Sequence, residues 1–185
     1  MIETERLILR TWRESEAEIL YRYAKDPDIG LPAGWPPHTS VENSLEIIRT
    51  VFAAPEVYAV VLKDIGEPVG SCGIMFADGL HSADMQGAEA EIGYWIGKPY
   101  WGQGLIPEAV KALLDRCFRQ LNLQTVWCGY YEGNTKSKRV CEKCGFKYDH
   151  TNYDILSPLG DIRTEHFYKL AQEDYAESQV VRRSD

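Results

Sequence analysis

The sequence predicts a single α/β (α+β) domain, and three observations lead there. A chain of 185 residues buries one full core and leaves too little for two. Segments with the two-residue alternation of strands are interleaved with segments of helical period. The strongest local feature is a strand that runs through a two-glycine turn into a helix, over residues 91–122.

Taken in order, Leu7 and Leu9 alternate with Arg6 and Arg10 within residues 4–11, as in a half-buried strand. A helix is expected from about Glu14 to Lys25. Residues 26–38 carry Pro27, Gly30, Pro32, Gly34, Pro36 and Pro37 and read as an irregular loop holding Trp35 and His38. Thr39 and Glu42 have the capping-box spacing ahead of Leu45, Ile47, Ile48, Val51 and Phe52, which starts a second helix. Residues 57–62 and 69–76 read as a hairpin around Gly66 and Pro68. A polar loop follows at 77–89, then a strand at 91–96, a helix at about 106–122 and a strand at 125–131. The domain is placed at residues 1–171, with 172–185 as a polar, dispensable tail.

Composition excludes several classes of function. No apolar run reaches the roughly 18 residues of a membrane span, and Glu3, Glu5 and Arg6 stand where a secretory signal needs apolar residues. A soluble, cytoplasmic protein is expected. A net charge of −8 disfavours a nucleic-acid surface, which needs clustered Lys and Arg. The five cysteines, at 72, 117, 128, 141 and 144, are odd in number and expected to be reduced thiols. Cys141 and Cys144 form one CxxC without a second ligand pair, so no metal is expected.

Gly102 and Gly104 remove Cβ atoms where a backbone must approach a ligand, and Pro107 suits the first turn of a helix. Amides left free there, with the helix dipole behind them, can hold a pyrophosphate, each charge-assisted bond contributing about 1.5–3 kcal/mol. A P-loop is excluded because Leu105 and Ile106 follow Gly104 where Lys and Ser or Thr would stand. A dinucleotide fingerprint is disfavoured by Pro107 at its third small position.

With TERLILR at the start, AGWPPH in the loop, EIGYWIGKPYWGQGLIPEAV in the middle and NTKSKRVCEKCGF later, the chain resembles the GCN5-related N-acetyltransferases (GNAT). The likeness spans about residues 4–170 and is to the ribosomal-protein N-terminal (RimJ/RimL-type) branch. Trp101 departs from the Gln or Arg of many relatives, and Ile106 from the usual Gly or Ala. The resemblance implies a mixed, mostly antiparallel sheet of about six to seven strands flanked by about four helices, its fourth and fifth strands splayed around the cofactor. It implies acetyl-CoA as cosubstrate, no metal, and a small-molecule or protein N-terminal amine as acceptor, in a monomer or homodimer. The backbone of Trp95, Ile96 and Gly97 would meet the pantetheine arm, and Trp101, Gly102, Gln103, Gly104, Leu105 and Ile106 the diphosphate. Asn134 and Ser137 would also contact coenzyme A, although Asn134 is equally suited to cap the next helix.

Amine acetylation needs a group that takes the ammonium proton. Glu91, opening the strand toward the thioester, matches the family's usual base, while Glu89 faces the same side by alternation and stays a candidate. A backbone N–H on the fourth strand would meet the oxyanion. Cys141 stands where many relatives carry the Tyr that protonates the leaving thiolate, so Ser137 is the preferred acid. The side chains of Tyr94 and Trp95 are expected to pack. Trp35 and His38 are the candidate acceptor-lining residues, and His81, His150 and His166 share no spacing that marks a site. Two other functions stay open: a non-catalytic acyl-CoA sensor on the same fold, and a nicotinamide-dependent oxidoreductase.

Overall fold

The computed structural model describes residues 1–76, 85 and 87–181, with side chains described through residue 177. Most of the expected polar loop, His81 included, and residues 182–185 lie outside the described residues. The chain order is β1 (Ile2–Glu3), β2 (Leu7–Arg10), α1 (Ala17–Ala24), α2 (Pro27–Gly30), α3 (Val41–Thr50), β3 (Val57–Leu62) and β4 (Glu67–Phe76), then β5 (Glu89–Ile96) and α4 (Leu105–Arg119). It continues with β6 (Thr125–Tyr131), α5 (Thr135–Cys144), β7 (Lys147–Leu156), β8 (Ile162–Ala171) and α6 (Gln172–Val181).

The strands form one sheet in the order β1-β2-β3-β4-β5-β6-β8-β7. Every described neighbour pair is antiparallel except β5 with β6. Eight strands stand where about six to seven were expected, because the two-residue β1 extends the edge and the chain ends in a full hairpin. Helices cover both faces. On one, α4 lays Ala109, Val110, Leu113 and Leu114, all fully buried, against Leu7, Leu9, Val60 and Ile92. On the other, α1 and α3 pack Leu20, Ala24 and Ile48 against Ala59 and Val61. Successive strand residues serve opposite cores, so each of the Leu, Ile and Val side chains contributes about 1.5–3 kcal/mol to one layer and each Ala about 0.8 kcal/mol.

Four local expectations shift. The first helix opens as a 3-10 turn over Glu14–Glu16 and ends at Ala24. The loop at 26–38 contains α2, capped by Asp26, and a 3-10 turn at Leu31–Ala33. The cap of α3 is Ser40, whose Oγ accepts the Asn43 amide at 3.1 Å, while Thr39 gives its own amide to Asn43 Oδ1. The residues read as a tail form α6, because Tyr175 is buried against Phe118 at 4.9 Å and its hydroxyl donates to Asp115. One aromatic side chain thus anchors an otherwise polar segment. No described helix is long and apolar enough to cross a membrane.

Candidate active site

The parallel pair β5–β6 is short. Glu89, Ala90 and Glu91 face Thr125, Val126 and Trp127, and there the pairing stops. From that point β5 stays with β4 as far as Ile96, while β6 stays with β8 as far as Tyr131. The two strands part immediately after Glu91, leaving main-chain groups on both inner edges without a ladder partner. This is the splay expected of the family's fourth and fifth strands. Alternation divides side chains between the two faces of this fork: Glu89, Glu91 and Trp95 take one, Tyr94 the other.

At the far end of β5 a 3-10 turn, Lys98–Tyr100, leads to Gly102 and Gly104, whose φ angles of 75° and 77° lie in the left-handed region. Among the described residues, the amides of 102–106 donate to no protein acceptor, and nothing lies within 4 Å of where a Cβ on Gly102 would stand. The turn is braced from behind. Arg6 donates to the Gln103 carbonyl at 3.0 Å and through Nε to Glu108 at 2.7 Å, and Thr4 donates to the same carboxylate. Burial works to raise the Glu108 carboxyl, but the hydrogen bonds from Thr4 and Arg6 outweigh it and hold the group below its ordinary value. Trp101 turns its indole N–H onto the Ile96 carbonyl, and Lys136 Nζ lies 3.6 Å from its ring centroid.

The predicted cofactor residues therefore gather along one path, with one qualification. The Gly97 amide donates to Val69 of β4 at 2.8 Å and the Ile96 carbonyl accepts the Trp101 indole N–H, so β4 takes one of these groups and the turn the other. Asn134 caps α5 by accepting the Ser137 amide at 3.2 Å, and its Nδ2 donates to Pro32.

On the α5 side of the fork, the Tyr94 hydroxyl lies 2.8 Å from Ser137 Oγ, 3.6 Å from Cys128 Sγ and 4.0 Å from Cys141 Sγ. A tyrosine hydroxyl thus reaches the neighbourhood of Cys141 after all, from the strand rather than from the helix. Burial raises its pKa well above the ordinary phenol value, so it is a donor at neutral pH. The ring packs against the core as expected, and the hydroxyl adds these contacts. Cys141 and Cys144 are buried thiols, and among the described residues no group of three or more His, Cys, Asp or Glu is arranged for a metal ion.

On the opposite face, Glu89 and Glu91 part company. Glu89 accepts the Trp127 indole N–H at 2.9 Å. Glu91 is only 7% exposed, and its Oε2 has no hydrogen-bond partner among the described residues. Burial first, and then the nearby Glu165 carboxylate, push its pKa up to about 8, with hydrogen bonding from the Gly129 main chain acting the other way. Burial likewise raises Glu165 to about 7. The point that a Cβ on Gly129 would occupy is 3.1 Å from Oε1 of both glutamates and from the Phe167 ring, so a larger residue there would crowd the pair. An isolated glycine inside a strand pattern marks close approach of this kind, the one sequence signal for Glu165.

The loop before α3 reaches the same face. Trp35 stands edge-on to Trp95 at 5.9 Å and to His38 at 5.7 Å, and Gly34, at φ 84°, passes against the Tyr131 ring. His38 turns its Nδ1 to Ser44 Oγ at 2.8 Å, and burial lowers its pKa. Trp35 thus borders the fork, whereas the imidazole of His38 is taken up by a hydrogen bond within the domain.

Comparison with known proteins places this geometry. An uncharacterized N-acetyltransferase of Bacillus licheniformis, p20, is 27% identical over 178 residues, covering 94% of this chain and 97% of its own length. The ribosomal-protein-S5-alanine acetyltransferase of Vibrio fischeri superposes with a TM-score of 0.71 at 19% identity, covering 94% of this chain and 97% of that one. The microcin C7 self-immunity acetyltransferase MccE, solved with acetyl-CoA and AMP, superposes with a TM-score of 0.72 at 17% identity, covering 91% and 93%. These two structures share the fold. The acetyltransferase (GNAT) domain profile matches residues 6–147, a stretch that runs from the Arg6 brace through the fork and the amide turn to the end of α5, and the chain belongs to that family.

Proposed function

We propose that this acetyltransferase moves the acetyl group of acetyl-CoA to a primary amine, with Glu91 as the base that deprotonates the acceptor. The observation that carries the proposal is the position of Glu91: buried, with one oxygen unpartnered, at the last paired residue before β5 and β6 separate. The thioester would lie in the fork, its diphosphate on the amides of 102–106 and its pantetheine arm along the unpaired edge of β5.

The acceptor enters as an ammonium and gives one proton to Glu91. Its nitrogen then bonds to the acetyl carbon as the carbon–sulfur bond breaks, with a free amide of β5 meeting the oxyanion. The departing sulfur takes a proton from the Tyr94–Ser137 pair on the other face, the new amide keeps one hydrogen and releases one proton to water, and the proton held by Glu91 is lost to solvent as the pair regains one from it. Base and acid so placed act from opposite sides of one gap.

A carboxyl near pH 8 is matched to an α-amine, whose pKa is about 8, while a lysine amine near 10.4 would give up its proton uphill by about 3 kcal/mol. This favours a protein N-terminus or an α-amino compound as acceptor. The catalytic unit is residues 1–171. The test is incubation with acetyl-CoA and a panel of N-terminal peptides, amino acids, polyamines and aminoglycosides, read by mass spectrometry. Acetylated α-amines are expected. If nothing is acetylated while acetyl-CoA still binds in a calorimeter, the acyl-CoA sensor replaces the enzyme.

A further inference from the structure

The acceptor face holds a second carboxylate that the mechanism above does not use. We infer that Glu165 on β8 is an acceptor-binding residue, which with Glu91 forms a two-carboxylate seat across Gly129 for the ammonium of the incoming amine. The inference rests on the reading of the fork as an acetyl-transfer site and adds to it the group that holds the acceptor before the base acts.

Glu165 pairs with Tyr131, and its neighbour Phe167 with Gly129. Glu165 and Phe167 therefore lie on the same face as Gly129, Tyr131 and Glu91. Both carboxylates bring Oε1 to 3.1 Å from the place where Gly129 lacks its Cβ. Among the described residues neither makes an ion pair, and Glu91 Oε2 is buried without any partner.

Two desolvated carboxylates side by side are unfavourable unless a cation or a shared proton joins them. The surrounding charges do not supply that cation. Arg163 on β8 stacks over the Tyr131 ring at 4.9 Å but is paired with Asp161 and donates to Leu31. His150 on β7 stacks on Phe167 with Asp149 at its Nδ1. Tyr131 is a phenol whose pKa is raised by burial and then by both glutamates, and Asn152, opposite Glu165 on β7, does not titrate. In the free site a shared proton joins the pair, since burial raises both carboxyls; a substrate ammonium takes its place on binding, its three donors serving two carboxylates and leaving one bond directed outward. A neutral amine or an alcohol offers no charge to the pair, so the seat selects acceptors that arrive protonated.

The test uses the full chain with CoA bound. Propylammonium chloride is titrated into wild type and Glu165→Gln, with sodium chloride as the ionic control, and the glutamate carboxyl carbons are followed by NMR. A saturable shift at Glu91 and Glu165 is expected in wild type, at least about tenfold weaker in the variant. The Glu91 titration midpoint should also fall when its like-charged neighbour is removed. With the best acceptor from the amine panel, Glu165→Gln should raise the acceptor KM about ten- to a hundredfold, keep kcat within about threefold and leave the acetyl-CoA KM unchanged. A shift reproduced by sodium, an unchanged acceptor KM, or a joint collapse of kcat and both KM values overturns the inference. An intact ammonium shift without any acetylated product would remove acetyl transfer and leave the cation seat standing.

Discussion

The two sides of the fork are made of different parts of the peptide. The cofactor side is main chain: two left-handed glycines and a helix start whose amides face outward. The side we propose for the acceptor is side chain: Glu91 from β5 and Glu165 from β8 meet over one glycine of β6, with Trp35 from a loop against Trp95. A main-chain site depends on local backbone angles, here the left-handed φ of Gly102 and Gly104. A side-chain site depends on the register of strands far apart in sequence.

The sharpest way to break this comparison is Glu91→Gln. It should lower kcat by about a hundred- to ten-thousandfold, the range of general-base catalysis, and leave acetyl-CoA affinity by calorimetry nearly unchanged. A parallel loss of acetyl-CoA binding would show that the two sides are one. The same residue sets a pH dependence. Its carboxyl titrates at about 8 in the folded chain against 4.5 for the free group. Between those values the folded state holds the extra proton, so stability falls as pH rises through that window, while activity rises toward pH 8 as the base ionises. Denaturant titrations and kcat/KM profiles across that window check both signs, and Glu91→Gln should flatten both.

Next in size is Gly104→Val. A β-branched residue at φ 77° is strained by about 1–2 kcal/mol, and its Cβ would stand 3.7 Å from the Arg6 guanidinium that braces the turn. Acetyl-CoA affinity should fall tenfold or more, with the Glu91 titration midpoint unmoved. The smallest effect is Tyr94→Phe, expected to cost about three- to tenfold in kcat, because a coenzyme A thiolate leaves readily with little help. Ser137→Ala should cost about the same, and the double variant little more than either, since hydrogen-bonded partners are not additive.

Much of the cofactor side was legible beforehand. Gly102, Gly104 and Pro107 announce a turn into a helix through conformational preferences that act within a few residues, and Asn134 announces a cap. The hairpin strand at 57–62 and the strand at 125–131 are readable to the residue, because each is a short run of β-branched and aromatic residues bounded by polar and turn residues. The cap of α3 was missed by one position, since Thr39 and Ser40 compete for the same role and only packing chooses. Tyr94 was read as packing because periodicity assigns a face and says nothing of where a hydroxyl ends. α6 was read as tail because a single buried tyrosine makes no periodic pattern.

The amino-acid sequence alone carried the α/β class, the glycine turn into α4 and a glutamate at the mouth of β5, because backbone angles, caps and alternation are set by near neighbours. Only the tertiary structure decided that Glu89 is engaged by Trp127 while Glu91 stands unpartnered, and that Glu165 joins it. Those facts arise where strands from distant parts of the chain are set in register, and the energy of burying a charge depends on what that register brings beside it.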